Sequence, residues 1–156
     1  LARDSALSAT TSVEAVSARG HRFSEEIEAL PIVLGNYAEV RDGKTEEFSI
    51  ESFNHGSATR KVLAIFNEIG LGADLMRARD GRNIRAGKAT MRGRVHKTPK
   101  SVLLVVKEKS GLAQAARNLP GVDVVAARDL CAEDLAPGGD VGRLTVFTKD
   151  AVEALN

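Results

Sequence analysis

Val102 to Val106 is an unbroken run of valine and leucine, and it constrains the fold more than any other feature of this chain. Large apolar side chains on every successive residue leave no polar face, so a strand built from them needs cover on both sides, as in the middle of a parallel sheet. Three other short and mainly apolar runs read as strands: Leu30 to Leu34, where the strand begins near Pro31, Val122 to Val125, and Leu144 to Phe147. Helical segments alternate with them. The stretch after Ser57 carries Val62, Leu63, Ile65, Phe66 and Ile69 on one broad face, with Ser57 as its cap and Gly70 or Gly72 as its stop. Gly111 to Asn118 is closed by Pro120 and Gly121, Cys131 to Leu135 makes a helical turn, and Asp150 to Leu155 forms a terminal helix. This alternation predicts an α/β fold of Rossmann-like, three-layer type: a mainly parallel sheet with helices on both faces and right-handed crossovers.

A chain of 156 residues is long enough for one such domain with a core of its own, and no repeat or linker divides 1–156. No apolar run approaches the ~18 residues of a membrane-spanning helix. Ala2, Ala6, Ala9, Val13 and Val16 recur at spacings of three and four, which predicts a single opening helix already running at Leu1. With no methionine at its start, the sequence reads as a fragment of a longer chain. From Gly35 to Gly56 it is polar, with Arg41-Asp42-Gly43-Lys44 as a turn signal and a weak alternation over Glu46 to Phe53.

Charge supplies the second constraint. The net charge is only +1, yet nine cations between Arg77 and Lys100 face a single acid, Asp80. They are Arg77, Arg79, Arg82, Arg85, Lys88, Arg92, Arg94, Lys97 and Lys100, so this segment carries +8, while 13 cations and 20 acids elsewhere leave the remainder at −7. Gly81, Gly87, Gly93 and the closing Thr98-Pro99 mark it as one long basic loop, with Ile84, Met91 and Val95 as its only large apolar groups. Those three cannot build a core. Long loops inside compact domains are uncommon unless they bind something, and glycine lets the backbone approach a partner closely. Solubility alone needs neither six arginines nor so few acids, whereas the guanidinium fork suits bidentate phosphate contact. No aromatic residue lies between Phe66 and Phe147, so the loop has no rings on which bases stack, and its contacts are expected with phosphate backbone and shape.

The other constellations carry weaker chemistry. Gly70-Leu71-Gly72 follows a helix rather than a strand, which is the wrong context for a dinucleotide fingerprint. Pro137-Gly138-Gly139-Asp140-Val141-Gly142 lacks the lysine–hydroxyl ending of a phosphate-gripping loop and reads as a turn that delivers Arg143. His21, His55 and His96 stand too far apart for a local metal motif. Cys131, the only cysteine, permits no internal disulfide, fits a reducing compartment and reads as a small buried hydrophobe. Glu133 and Asp134 read as the solvent face of a helical turn. No catalytic residue, metal or cofactor is expected. Two alternatives stay open: an α/β enzyme or anion-binding module with a small-molecule site at the carboxyl ends of the strands, and a protein-interaction module whose loop meets an acidic partner.

Three separated segments carry a family resemblance. They are Ile84-Arg85-Ala86-Gly87-Lys88 with Met91-Arg92-Gly93-Arg94; Ala116-Arg117-Asn118-Leu119-Pro120-Gly121-Val122; and Leu135-Ala136-Pro137-Gly138-Gly139 with Gly142-Arg143-Leu144-Thr145-Val146-Phe147-Thr148. With the opening helix and Arg19-Gly20-His21, they make the chain similar to the archaeal and eukaryotic version of the fourth large-subunit ribosomal protein, covering only the later part of that family's sequence. The resemblance implies an α/β domain with a structural, non-enzymatic role in the cytoplasmic ribosome. Its implied partners are large-subunit ribosomal RNA and neighbouring ribosomal proteins, with no membrane and no small-molecule substrate. The family's basic extension toward the peptide exit tunnel lies outside this sequence, so tunnel lining is not implied for it.

On that reading Arg82, Arg85, Lys88, Arg92 and Arg94 lead the RNA contacts, Lys97 and Lys100 follow, and Arg77 and Arg79 belong to the same cationic run. Arg117, Asn118 and Arg143 are supporting candidates. Arg117 and Arg143 have an equally good structural reading, in which each bridges to a neighbouring carboxylate or carbonyl. Asn118, beside Pro120-Gly121, reads better as a helix-end cap, since asparagine tolerates the left-handed conformation.

Overall fold

The computed structural model describes residues 1–25, 27, 29–41, 44–48, 50 and 58–155. In chain order its elements are α1 (Ala2–Thr10), α2 (Val13–Ala18), β1 (Ile32–Leu34), β2 (Tyr37–Arg41), β3 (Lys44–Phe48), α3 (Ala58–Glu68), α4 (Gly72–Asp80) and β4 (Asn83–Ile84). There follow α5 (Lys88–Met91), β5 (His96–Lys97), β6 (Leu103–Val106), α6 (Gly111–Arg117), β7 (Asp123–Ala126), α7 (Ala132–Leu135), β8 (Thr145–Thr148) and α8 (Lys149–Leu155).

The four apolar runs become the main sheet, in the order β1-β8-β6-β7, and each pairing in it is parallel. The two central strands, β6 and β8, are buried throughout. Side chains alternate across a strand, so β6 sends Leu104 and Val106 to one face and Leu103 and Val105 to the other. The first face packs with Val16 of α2, Val62 and Phe66 of α3, Leu75 of α4, and Leu112 and Ala116 of α6. The second packs with Ala6 of α1, Leu135 of α7 and Ala151 of α8. Helices therefore cover both faces, and the α/β layering read from the sequence is the observed one. Each large side chain fully buried in these layers contributes about 1.5–3 kcal/mol.

Local chemistry redraws several boundaries. The expected single opening helix is two helices. Thr10 Oγ1 and Thr11 Oγ1 donate to the carbonyls of Leu7 and Ser8 at 2.7 Å each, and extended Ser12 then caps α2 by accepting from the Ala15 amide at 3.3 Å. Three consecutive hydroxyl residues offer the backbone alternative partners, and the helix breaks there. The weak alternation after Glu46 belongs in part to β3, which pairs antiparallel with β2 through Tyr37↔Phe48 and Arg41↔Lys44. The Asp42-Gly43 turn, residues 51–53, His55 and the Ser57 cap lie outside the described residues. Helix α3 stops at Gly70, where the Leu71 amide reaches back to the Phe66 carbonyl at 2.8 Å, and Gly72 instead opens α4. The basic stretch consequently starts inside a helix, because Arg77 and Arg79 occupy the last turn of α4, where the helix dipole favours cations. No helix among the described residues is long and apolar enough to cross a membrane.

Candidate nucleic-acid interface

The chain leaves the α/β layers at Gly81 and re-enters them at Ser101. Within this excursion β4 and β5 form a two-rung antiparallel ladder, Asn83↔Lys97 and Ile84↔His96, continued by the Arg85 amide donating to the Val95 carbonyl at 2.7 Å. The single turn of α5 forms the far end, and Gly87, at φ +72 with open space around it, turns the chain into it. Thr90 Oγ1 donates to the Arg85 carbonyl at 2.7 Å, and the Arg94 amide to the Ala89 carbonyl at 3.0 Å. These hydrogen bonds shape an arm in which no residue from Arg79 to Lys100 is buried.

The leading candidates gather here. Arg85 Nε donates to the His96 carbonyl at 3.2 Å. Among the described residues, the side chains of Arg82, Lys88, Arg92, Arg94 and Lys97 have no hydrogen bond or ion pair. Arg79 pairs with Asp80 at 3.0 Å on the open surface, and Lys100 pairs with Asp123 at 2.7 Å. Exposed pairs of this kind are worth at most about 1 kcal/mol and yield readily to a stronger anion.

The foot of the arm is built differently. Asp74, completely buried in the first turn of α4, accepts hydrogen bonds from chain segments that are remote in sequence. The Arg22 amide and Arg77 Nε donate to Oδ1 at 3.0 and 2.8 Å, and Ser101 Oγ donates to Oδ2 at 2.6 Å. His21 Nδ1 lies 3.1 Å from the same Oδ2, which makes Nδ1 the protonated nitrogen facing an ionised acceptor. Burial by itself raises the pKa of Asp74, but the bonds from His21, Arg77 and Ser101 outweigh it and hold the carboxyl far below the usual carboxylate range. Arg77 Nη2 also donates to the Lys100 carbonyl at 2.8 Å, so one guanidinium clamps the end of α4 to the returning chain.

Arg143, two residues ahead of β8, completes the foot. It is 1% exposed, and its guanidinium donates to the carbonyls of Ser101 and Asp134 at 3.1 and 2.9 Å and to Asp123 Oδ2 at 2.6 Å. Asp123 is thus held by Lys100 and Arg143 together; burial raises its pKa, and these two partners more than reverse that. Of the two readings open to Arg143, the bridging one is what the structure has, and its side chain does not reach the surface. Arg117 differs. It is exposed at the end of α6, has no carboxylate partner among the described residues, and borders a groove of about 500 Å³ along β7 with Lys100, Lys109 and Gln114.

Other expectations are corrected. Asn118 does end α6, but in right-handed conformation (φ −75°, ψ −13°); the left-handed turn falls to Gly121 at φ +75°. Cys131 is exposed, not buried: it precedes α7, and its amide and thiol donate to Asp134 Oδ2 at 3.2 and 3.0 Å, a polar task that draws it to the surface. Glu133 does lie on the solvent face, while Asp134 is half-buried by this capping role. The turn over Pro137 to Gly142 does deliver Arg143, and Arg19 supports it by donating to the carbonyls of Pro137, at 2.8 Å, and Asp140. Among the described residues, the space between Leu34, Asn36, Ile50 and Thr148 at the carboxyl ends of β1 and β8 is about 10 Å³, smaller than the groove along β7. No group of histidine, cysteine and acidic side chains among the described residues could hold a metal ion.

Sequence reasoning missed the Asp74 cluster. Its signal was an acid on an apolar helical stripe, since Asp74 shares the buried face of α4 with Leu71, Leu75 and Ala78.

An α/β scaffold with a clamped foot and a coreless cationic arm defines a class of protein that presents a charged surface. A family model described as the ribosomal protein L4/L1 family matches residues 1–156. The chain is 45% identical, over 97% of its length and 53% of the relative, to the large ribosomal subunit protein uL4 of Methanocaldococcus jannaschii. The corresponding protein of Thermoplasma acidophilum is 44% identical over 99% of this chain and 54% of its own, and that of Halobacterium salinarum is 42% identical over 95% and 53%. The chain belongs to the ribosomal protein L4/L1 family. It spans about half the length of the curated relatives it matches.

Proposed function

We propose that this chain serves as a structural, non-catalytic constituent of the large ribosomal subunit in the cytoplasm, bound to large-subunit ribosomal RNA and adjoining other ribosomal proteins. The observation that carries the proposal is the arm: from Arg79 to Lys100 nothing is buried, and five of its cations have no partner among the described residues. Such a concentration of like charge repels itself and is relieved by a polyanion. Arg82, Arg85, Lys88, Arg92 and Arg94 take phosphates, Lys97 and Arg79 extend the track, and Lys100 exchanges Asp123 for phosphate or stays at the foot. Arg117 adds a contact from the β7 groove. Arg77 and Arg143 serve as positioning residues, since their guanidinium groups are already spent on Asp74, Asp123 and backbone carbonyls.

Binding of archaeal large-subunit ribosomal RNA, titrated with salt against an unrelated structured RNA, tests the proposal. With ~6 phosphates neutralised, affinity falls on the order of a thousandfold from about 50 to 200 mM salt, while preference over the competitor persists. Absence of binding at low salt overturns the reading. Steep salt dependence without preference reduces it to nonspecific phosphate contact.

A further inference from the structure

Ile84 and Met91 stand apart on this arm. They are 74% and 81% exposed, more than any other large apolar side chain among the described residues except the chain-end Leu1. Neither has a core to join. Successive residues of a strand point to opposite sides, so Ile84 in β4 shares the side of its ladder partner His96, away from Arg85. Met91 ends α5 immediately before Arg92. The bonds from Thr90 Oγ1 to the Arg85 carbonyl and from the Arg94 amide to the Ala89 carbonyl hold the turn of α5 against the ladder. Both apolar groups are therefore displayed rather than folded inward.

Their surroundings identify what covers them. No acidic residue occurs from Gly81 to Lys107, and Arg85, Lys88, Arg92 and Arg94 flank the two side chains in sequence. The partner is accordingly anionic, and within a few ångströms of its charges it offers flat apolar surface. RNA has that composition, with phosphates set beside ribose and base faces, and in duplex DNA isoleucine and methionine side chains wedge between base steps beside cations that hold the groove. The flexible thioether of methionine adapts to an irregular surface of this kind. We propose that Ile84 and Met91 form an apolar contact with ribose and base faces of the RNA whose phosphates the neighbouring cations bind. This rests on the proposed function and adds to it a component that is independent of counterions.

Salt separates the two components. The chain and the double variant Ile84→Ala/Met91→Ala are each titrated with archaeal large-subunit ribosomal RNA at several salt concentrations. Neither side chain is buried, so thermal unfolding of the variant stays that of the parent. Its affinity is about tenfold lower at every salt concentration, with the slope of log affinity against log salt unchanged, and Met91→Leu restores most of the methionine share. Loss of Arg85 and Arg92, in contrast, reduces the slope itself by about two. A double variant that binds as tightly as a binding parent overturns this inference alone, as does one whose slope has changed. An RNA affinity that is unaffected while attachment to large-subunit ribosomal proteins is lost also overturns it, in favour of a protein partner. A parent that binds no RNA overturns the proposed function as well.

Discussion

The foot and the far end of the excursion use the same residue type in opposite ways. Arg77 and Arg143 lie at the foot, and each guanidinium reaches a carboxylate and at least one backbone carbonyl; Arg143 is buried to the same class as the leucines of the core. Arg82, Arg92 and Arg94 lie outward, and their side chains touch no acid among the described residues. Desolvating a guanidinium is tolerable only where fixed acceptors replace its water, and the foot supplies them at the points where the chain departs and returns. Farther out the arginines keep their water and their full charge. Sequence alone shows one basic run; burial sets apart its first arginine, Arg77, which holds the arm together with Arg143 from outside the run, and leaves the others to a partner.

The largest expected effect comes from breaking the foot. Asp74→Ala strands Ser101 Oγ, the Arg22 amide and Nδ1 of His21 without their acceptor, and leaves Arg77 without its carboxylate. Removing one member of a buried ionic network costs about 3–5 kcal/mol, read as a lower urea midpoint. A midpoint within error of the parent would show that the cluster is not structural. The same carboxylate shapes the acid limb of stability. Its folded pKa is depressed, so its contribution is complete above the unfolded value of about 4 and is lost as pH falls below it. Asp74→Asn flattens the loss of stability below about pH 4 without abolishing it, because Asp123 is also depressed and titrates there too.

A glycine pair gives the next effect. Gly121 and Gly87 both have positive φ, +75° and +72°, but a Cβ at Gly121 would collide with the Pro99 carbonyl oxygen and come within 2.9 Å of Ala78 Cβ, whereas nothing lies within 4 Å of Gly87. Gly121→Ala therefore costs about 2–3 kcal/mol through strain and overlap at the foot. Gly87→Ala meets no overlap but forces alanine into a backbone region that is essentially glycine's own (φ +72°, ψ −153°). That strain, on the order of 1–3 kcal/mol, is confined to an arm that carries no core, so the global melt moves less. Equal destabilisation in thermal melts would erase the difference between the two regions.

How much of this was legible in the sequence follows from the range of the interactions. Val102 to Val106 announced a central strand because its period is local, and the helices after it carried their own stop signals. The break between α1 and α2 depended on three hydroxyl side chains choosing carbonyls over continued helix, which apolar spacing does not register. The cationic run was visible as composition, and so were its three exposed apolar residues, Ile84, Met91 and Val95. The foot was not, because Asp74 meets His21 and Ser101 across 53 and 27 residues of chain. Cys131 looked apolar by type, yet its amide and thiol cap a turn.

The smallest expected effect on stability is the one that most sharpens the contrast. Arg85→Ala with Arg92→Ala removes two guanidinium groups from the arm, where the only side-chain bond lost among the described residues is from Arg85 Nε to the His96 carbonyl on the surface. Exposed substitutions of this kind change folding free energy by less than about 0.5 kcal/mol. Relief of like-charge repulsion in the free arm offsets part of even that, since Lys88 and Arg94 remain close by in sequence. RNA affinity changes far more. With two fewer phosphates neutralised, it drops by more than tenfold at low salt. Urea midpoints and RNA titrations on the same preparation check both halves: a large loss of stability would place these arginines with Arg77 and Arg143 as structural clamps, and an undiminished RNA affinity would remove them from the interface.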